Sequence, residues 1–186
     1  QMAWLDGILA EHGEDATAVV FSHLPLWPFA QKREREIIGD PALAELYMRR
    51  DVDLHLSGHH HAFYPGEVDG MLFVSQACLG GGPRWLIGDA HRSPHAMTLV
   101  EIDAQGRIDV EALGEEEWIV RTIGNNLLLT GGRPRGPLYA VYDFLEKQAG
   151  CYWLDRSTEM IPSRPTLELE PLDVQRDVRR WSRVGE

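Results

Sequence analysis

The pattern that most limits what this chain can fold into lies between residues 17 and 64. Thr17-Ala18-Val19-Val20-Phe21 is a short apolar run, and Val52-Asp53-Leu54-His55-Leu56 is a second. Between them, Leu43, Leu46, Tyr47 and Arg50 recur at helical spacing. They follow Asp40-Pro41, an N-cap residue type with proline at the first helical position. Strand, helix and strand in that order predict a βαβ unit with two parallel strands. A first strand that is apolar throughout also predicts cover on both of its faces. Each run ends in histidine: Ser22-His23-Leu24-Pro25 after the first, Gly58-His59-His60-His61 after the second. Parallel strands joined by a crossover end at the same sheet edge, where open α/β sheets bind their ligands. His23, His59 and His61 are therefore expected at one edge.

Neutral imidazole is the commonest protein metal ligand. His59 and His61 are two residues apart, so on an extended segment they would point the same way. On a loop after Gly58 they can diverge and serve different ions. Three imidazoles suit Zn, Fe or Mn, and do not suit Ca or Mg alone. An isolated His-x-His pair also occurs as plain surface polarity, so the expectation rests on His23 arriving from the neighbouring strand.

The rest of the chain supplies a frame for this edge. Leu5, Ile8, Leu9 and His12 form a helical stripe, with Gly13 as its stop. That helix starts without a lead-in, as in the middle of a longer protein. Gln31 to Ile38 reads as a charged, mobile loop. Met71-Leu72-Phe73-Val74 reads as a strand, followed by the Gly-rich Leu79-Gly80-Gly81-Gly82-Pro83-Arg84. Residues 96–102 and 107–113 alternate around Asp103-Ala104-Gln105-Gly106 and predict a β-hairpin. Residues 1–113 are taken as one domain and 114–186 as an extension. In the extension, Trp118 to Val120 and Leu127 to Leu129 read as strands, and 131–137 as a loop. Leu138, Val141, Tyr142 and Leu145 read as a helical stripe. Val174, Val178 and Trp181 line one face of a last helix, whose Arg176, Arg179, Arg180 and Arg183 form a solvated face.

Charge and cysteine usage narrow the function classes. The net charge of -11 opposes non-specific nucleic-acid binding, which needs basic patches to displace counterions. An anionic substrate remains compatible when metal cations supply the local positive charge. Cys78 and Cys151 are expected as buried free thiols, which fits a reducing, cytoplasmic setting. No apolar run approaches the ~20 residues of a membrane span. Gln1 to Leu5 lacks the pattern of a signal peptide.

The order strand, Ser22-His23-Leu24-Pro25, helix, strand, Gly58-His59-His60-His61 resembles the calcineurin-like metallophosphoesterases, a family that includes purple acid phosphatases. The Val74-Ser75 strand end and the Gly80-Gly81-Gly82 loop are similar as well. The resemblance covers residues 1 to 113, and Ser22 stands where the family usually has glycine. It implies an α/β fold, the C-terminal half of a four-layer α/β/β/α sandwich. It further implies two divalent or trivalent transition-metal ions (Fe, Mn or Zn), with His23 and His59 on one and His61 on the other. The implied reaction is hydrolysis of a phosphate ester, a monoester or a diester, by in-line attack without a covalent enzyme intermediate. Two metals ~3.5–4 Å apart do this by holding the phosphoryl group and activating water.

The family's earlier motifs, Asp-x-His, Gly-Asp and Gly-Asn-His, would precede Gln1. Asp53-Leu54-His55, Gly88-Asp89 and Gly124-Asn125-Asn126 are partial look-alikes in the wrong order or place, which argues against a circular permutation. Asp53 and His55 are expected to face a polar interior or solvent. The N-terminal half is thus expected in a longer protein or in a separate partner chain. No catalytic residue is assigned. His60, Phe63, Tyr64 and Arg84 are the substrate-binding candidates, with core packing the alternative for Phe63 and Tyr64 and a tight connection the alternative for Gly80 to Arg84. His12, His91 and His95 are read as surface residues. The alternative function is a non-catalytic fragment or degenerate homologue that acts as a binding module.

Overall fold

The computed structural model describes residues 1–11, 13 and 16–177. The chain is mixed α/β, with small sheets and few helices, and divides into two units, Gln1–Ala112 and Leu113–Glu186.

The first unit is built on α1 (Met2–Ala10), β1 (Val19–Ser22), α2 (Pro41–Arg49), β2 (Leu54–Ser57), β3 (Tyr64–Val68) and β4 (Met71–Ser75). Its sheet has the order β1-β2-β4-β3. β1 and β4 both run parallel to β2, and β3 is antiparallel to β4. The βαβ unit expected from the apolar runs is present. Asp40 caps α2, its Oδ1 accepting from Ala42 N at 3.0 Å. Leu46 and Tyr47 then carry the helix onto the sheet, packed with Leu9, Leu26, Val52 and Met71. Full burial of such side chains contributes about 1.5–3 kcal/mol each, so this layer holds the strand ends in place.

Two local readings are corrected. β1 is not covered on both faces: it is an edge strand, and Phe21 is 73% exposed. Its neighbour Val20 packs on the core, and the alternation of a strand sends Phe21 the other way. β3 was not anticipated, because Pro65 and Gly66 argue against a strand. At the opposite edge of the sheet proline is tolerated, and Pro65 pairs opposite Val74.

The predicted hairpin forms as β5 (Met97–Ile102) and β6 (Ile108–Leu113). Asp103 Oδ1 organises its turn, accepting from Gln105 N and Arg107 N at 2.9 Å each.

In the second unit, β7 (Glu117–Ile123), β8 (Asn126–Gly131) and β11 (Asp173–Asp177) make an antiparallel sheet in the order β11-β7-β8. α3 (Gly136–Lys147) packs on it. The short β9 (Tyr152–Trp153) and β10 (Glu159–Met160) pair with each other. The two expected strands are present, but the helical stripe is not the packed face. Leu138, Val141 and Tyr142 are exposed, while Tyr139, Ala140 and Phe144 meet Trp118 and Val120. Small residues decide this. A Cβ on Gly136 would lie 2.5 Å from Glu117 O, so only a face carrying Gly136 and Ala140 can approach so closely. Val174 lies in β11, a strand where a helix was expected. Val178, Arg179, Arg180, Trp181 and Arg183 lie outside the described residues, as does His12.

Candidate metal and ligand site

The register of the parallel strands sets the site. Ser22, Ser57 and Ser75 are directly paired across β1, β2 and β4, forming a row of small polar residues at the C-terminal edge. The loops that leave this edge carry the histidines. His23 O accepts from Gly58 N at 3.1 Å, which ties the first histidine loop to the second.

His59 and His61 both have positive φ, 62° and 51°. Histidine enters this region more readily than β-branched residues, and the turn drops His60 inward between its two half-exposed neighbours. His23 and His59 come together, as the strand order requires: His23 Nε2 lies 2.9 Å from His59 Nδ1, with the rings edge to face. His59 Nε2 lies 2.6 Å from Glu36 Oε2. Glu36 also pairs with Arg33. The Arg33 guanidinium first, and His59 second, hold the Glu36 carboxyl below the usual carboxylate range.

This chain of contacts selects a tautomer. A carboxylate accepts only, so a neutral His59 donates from Nε2 and keeps its lone pair on Nδ1. His23 Nε2 faces that lone pair. Two imidazole nitrogens bound to one tetrahedral transition-metal ion, each ~2.0–2.1 Å from it, would be roughly 3.3–3.4 Å apart. At 2.9 Å the His23–His59 pair is a hydrogen bond, and its nitrogens would have to separate by a few tenths of an ångström to share an ion. Glu36 does not converge with them, because it approaches the opposite side of the His59 ring. Among the described residues, no group of three or more His, Cys, Asp or Glu side chains is placed to hold an ion.

His61 stands apart from this pair. Its Nδ1 is 3.3 Å from Gly82 O. A Cβ on Gly81 would sit 2.7 Å from the His61 ring, so the Gly-rich loop gives that ring its space. His95 Nε2 is 3.0 Å from Gly81 O, which brings a histidine read as plain surface to the same loop.

His60 is fully buried. Its Nδ1 accepts from Phe29 N and Ala30 N at 3.2 and 3.3 Å, and its Nε2 donates to Glu36 O at 3.0 Å. Burial pushes its pKa down, against the raising effect of the Glu36 carbonyl. Its place is as a pin beneath the 29–36 loop, not at the surface where a substrate would sit. Phe63 is half-buried, and its N–H donates to Ser93 Oγ at 2.8 Å. Tyr64 is 43% exposed and stacks on Phe29 at 5.3 Å, and Phe29 stacks on Phe73 at 5.6 Å. Asp53 and His55 stay out of the site. Asp53 Oδ2 accepts from Ala18 N at 2.7 Å. His55 is buried in β2, 2.8 Å from Ser22 Oγ, and Ser22 in turn donates to Leu24 O at 2.6 Å. Both cysteines are free and buried, as expected.

Arg84 lines a cleft of about 650 Å³ together with Gln31, Lys32, Gly82, Pro83, Trp85, Asp89 and Arg92. Sequence reasoning missed Glu36 and this cleft. Glu36 lies in the segment read as mobile, and no motif spacing ties residue 36 to residue 59. The 29–32 and 84–87 backbones pair through Ala30–Leu86, and Trp85 pairs with Arg92, long-range contacts without a local signature.

Against known proteins, no family model matches the chain, and no curated protein matches it. Among solved structures, weak similarity extends to two of the following description, among others. One, described as GAP50, the anchor in the inner membrane complex of Plasmodium, is 16% identical with a TM-score of 0.49, over 76% of this chain and 47% of the other. The second is a zinc complex of Vps29 from Entamoeba histolytica, 20% identical with a TM-score of 0.31, over 50% of this chain and 46% of the other. The chain spans just under half the length of each.

Proposed function

We propose that this chain carries part of a transition-metal site for phosphoric ester hydrolysis, of the calcineurin-like metallophosphoesterase type. The observation that carries the reading is the approach of His23 Nε2 to His59 Nδ1 at 2.9 Å, at the ends of adjacent parallel strands. His23 and His59 would hold one ion and His61 would contribute to a second. When bound, such ions would polarise a phosphoryl group and acidify water.

The chain's own residues have separable roles. Glu36 fixes the His59 tautomer, and Arg33 keeps Glu36 ionised for that task. Loading requires His23 to carry its proton on Nδ1, freeing Nε2. His60 holds the 29–36 loop, so that Glu36 stays opposite His59. Further ligands, a bridging carboxylate among them, would have to join these histidines.

The test combines metal analysis with phosphate release from an aryl phosphate monoester and diester. The protein is expected to retain transition metal, and His23→Ala, His59→Ala and His61→Ala each to lower the bound amount. Absence of both metal retention and ester hydrolysis in the complete protein would refute the reading and leave a non-catalytic binding module.

A further inference from the structure

We infer that the Lys32–Arg84–Arg92 cleft binds a phosphoryl group, and that it takes the second, non-reacting phosphoryl of a diphosphate-type substrate. The substrate role rests on the hydrolase reading above; the binding does not.

The first argument is charge. The chain is strongly anionic, yet this cleft gathers three cations against one carboxylate, Asp89. That carboxylate is already engaged, its Oδ1 accepting from His91 N at 2.8 Å and lying 3.3 Å from His91 Nδ1. The second is a guanidinium. Arg84 is half-buried and lines the cleft, and a planar guanidinium matches the oxygens of a phosphoryl group. The third is a formed wall. Gln31 N donates to Trp85 O at 2.9 Å, Ile87 N to Phe29 O at 2.8 Å and Ser93 N to Arg84 O at 2.8 Å. Gln31 Nε2 adds a bond to Leu86 O at 2.9 Å, and Arg92 lies 5.8 Å from the centroid of Trp85. These contacts set Lys32, Arg84 and Arg92 on one paired scaffold before any ligand arrives.

Position assigns the role. Arg84 N donates to His61 O at 3.1 Å, and Gly82 O lies against the His61 ring, so the cleft abuts the histidine edge. None of the described histidines lines it. A ligand with one phosphoryl group at His61 thus has its next anionic group within reach of these cations, whereas a simple monoester leaves the cleft empty. The volume falls in the ~300–1,000 Å³ range of small-molecule sites.

The test is calorimetric titration of the purified protein with pyrophosphate, inorganic phosphate and sulfate, in EDTA so that no metal takes part. Pyrophosphate is expected to bind more tightly than phosphate or sulfate. Lys32→Gln and Arg92→Gln are each expected to weaken it about tenfold, the loss of one charge-assisted contact. Arg49→Gln, which removes a cation on α2 outside the cleft, is expected to leave it unchanged. Arg84→Gln should weaken it most; should that variant fail to fold, Lys32→Gln and Arg92→Gln decide. Absence of pyrophosphate binding, equal binding of sulfate, or wild-type affinity in both of those variants overturns the cleft assignment. Pyrophosphate binding without metal-dependent ester hydrolysis would instead fail the hydrolase reading and the substrate role with it. Hydrolysis without pyrophosphate binding would fail the cleft alone.

Discussion

His55→Gln tests whether the sheet beneath the histidines stores a pH-dependent instability. His55 is buried in β2 and its Nε2 meets Ser22 Oγ, and burial pushes its pKa from 6.5 down to about 4. The unfolded chain binds a proton near pH 6.5, and the folded chain does not until about pH 4. Between those values the unfolded state holds more protons, so stability rises with pH; it is fully present above 6.5 and lost as pH falls toward 4. At 1.36 kcal/mol per unit the span amounts to about 3 kcal/mol. Glutamine keeps a donor for Ser22 and removes the titration. Urea unfolding at pH 7, 6 and 5 is expected to show the wild type losing stability faster than His55→Gln. The carboxylates and His60 titrate in both proteins and cancel in the difference. Two curves that stay parallel across this range would refute the burial argument.

Three further substitutions probe the packing around the site and in the second unit. Gly66→Ala would place a Cβ 2.4 Å from the Phe73 ring, which packs against Trp27, Phe29 and Tyr64. It should cost about 1–3 kcal/mol in chemical denaturation. Gly132→Ala would set a Cβ 1.8 Å from Gly114 O, a backbone atom, and should destabilise by about 3 kcal/mol or more, read as a lowered melting temperature of the second unit. Asp40→Ala removes the acceptor for Ala42 N and should cost about 1 kcal/mol, whereas Asp40→Asn should cost much less.

The architecture near the site was legible because its causes are local. Apolar runs of strand length, a capped helix between them and a histidine at each exit suffice for two parallel strands that share an edge, and His23 meets His59 there. The hairpin at 97–113 is likewise read from alternation and turn residues, and β7 and β8 from short apolar runs. The misreadings have one kind of cause, an effect that depends on what lies across space. Phe21 is exposed because β1 falls at the edge of the sheet. β3 forms despite Pro65 because it takes the opposite edge. α3 turns its small residues inward because Gly136 must pass close to Glu117. At the site, His59, His60 and His61 are adjacent and of one type, so nothing in the sequence separates them. Only the folded chain does so, by placing Glu36 against His59, Phe29 and Ala30 against His60, and Gly81 against His61. Sequence alone set which residues reach the sheet edge, since strand polarity and crossover follow from local pattern. Tertiary structure decided what each one touches there, because those partners come from loops that no spacing rule connects.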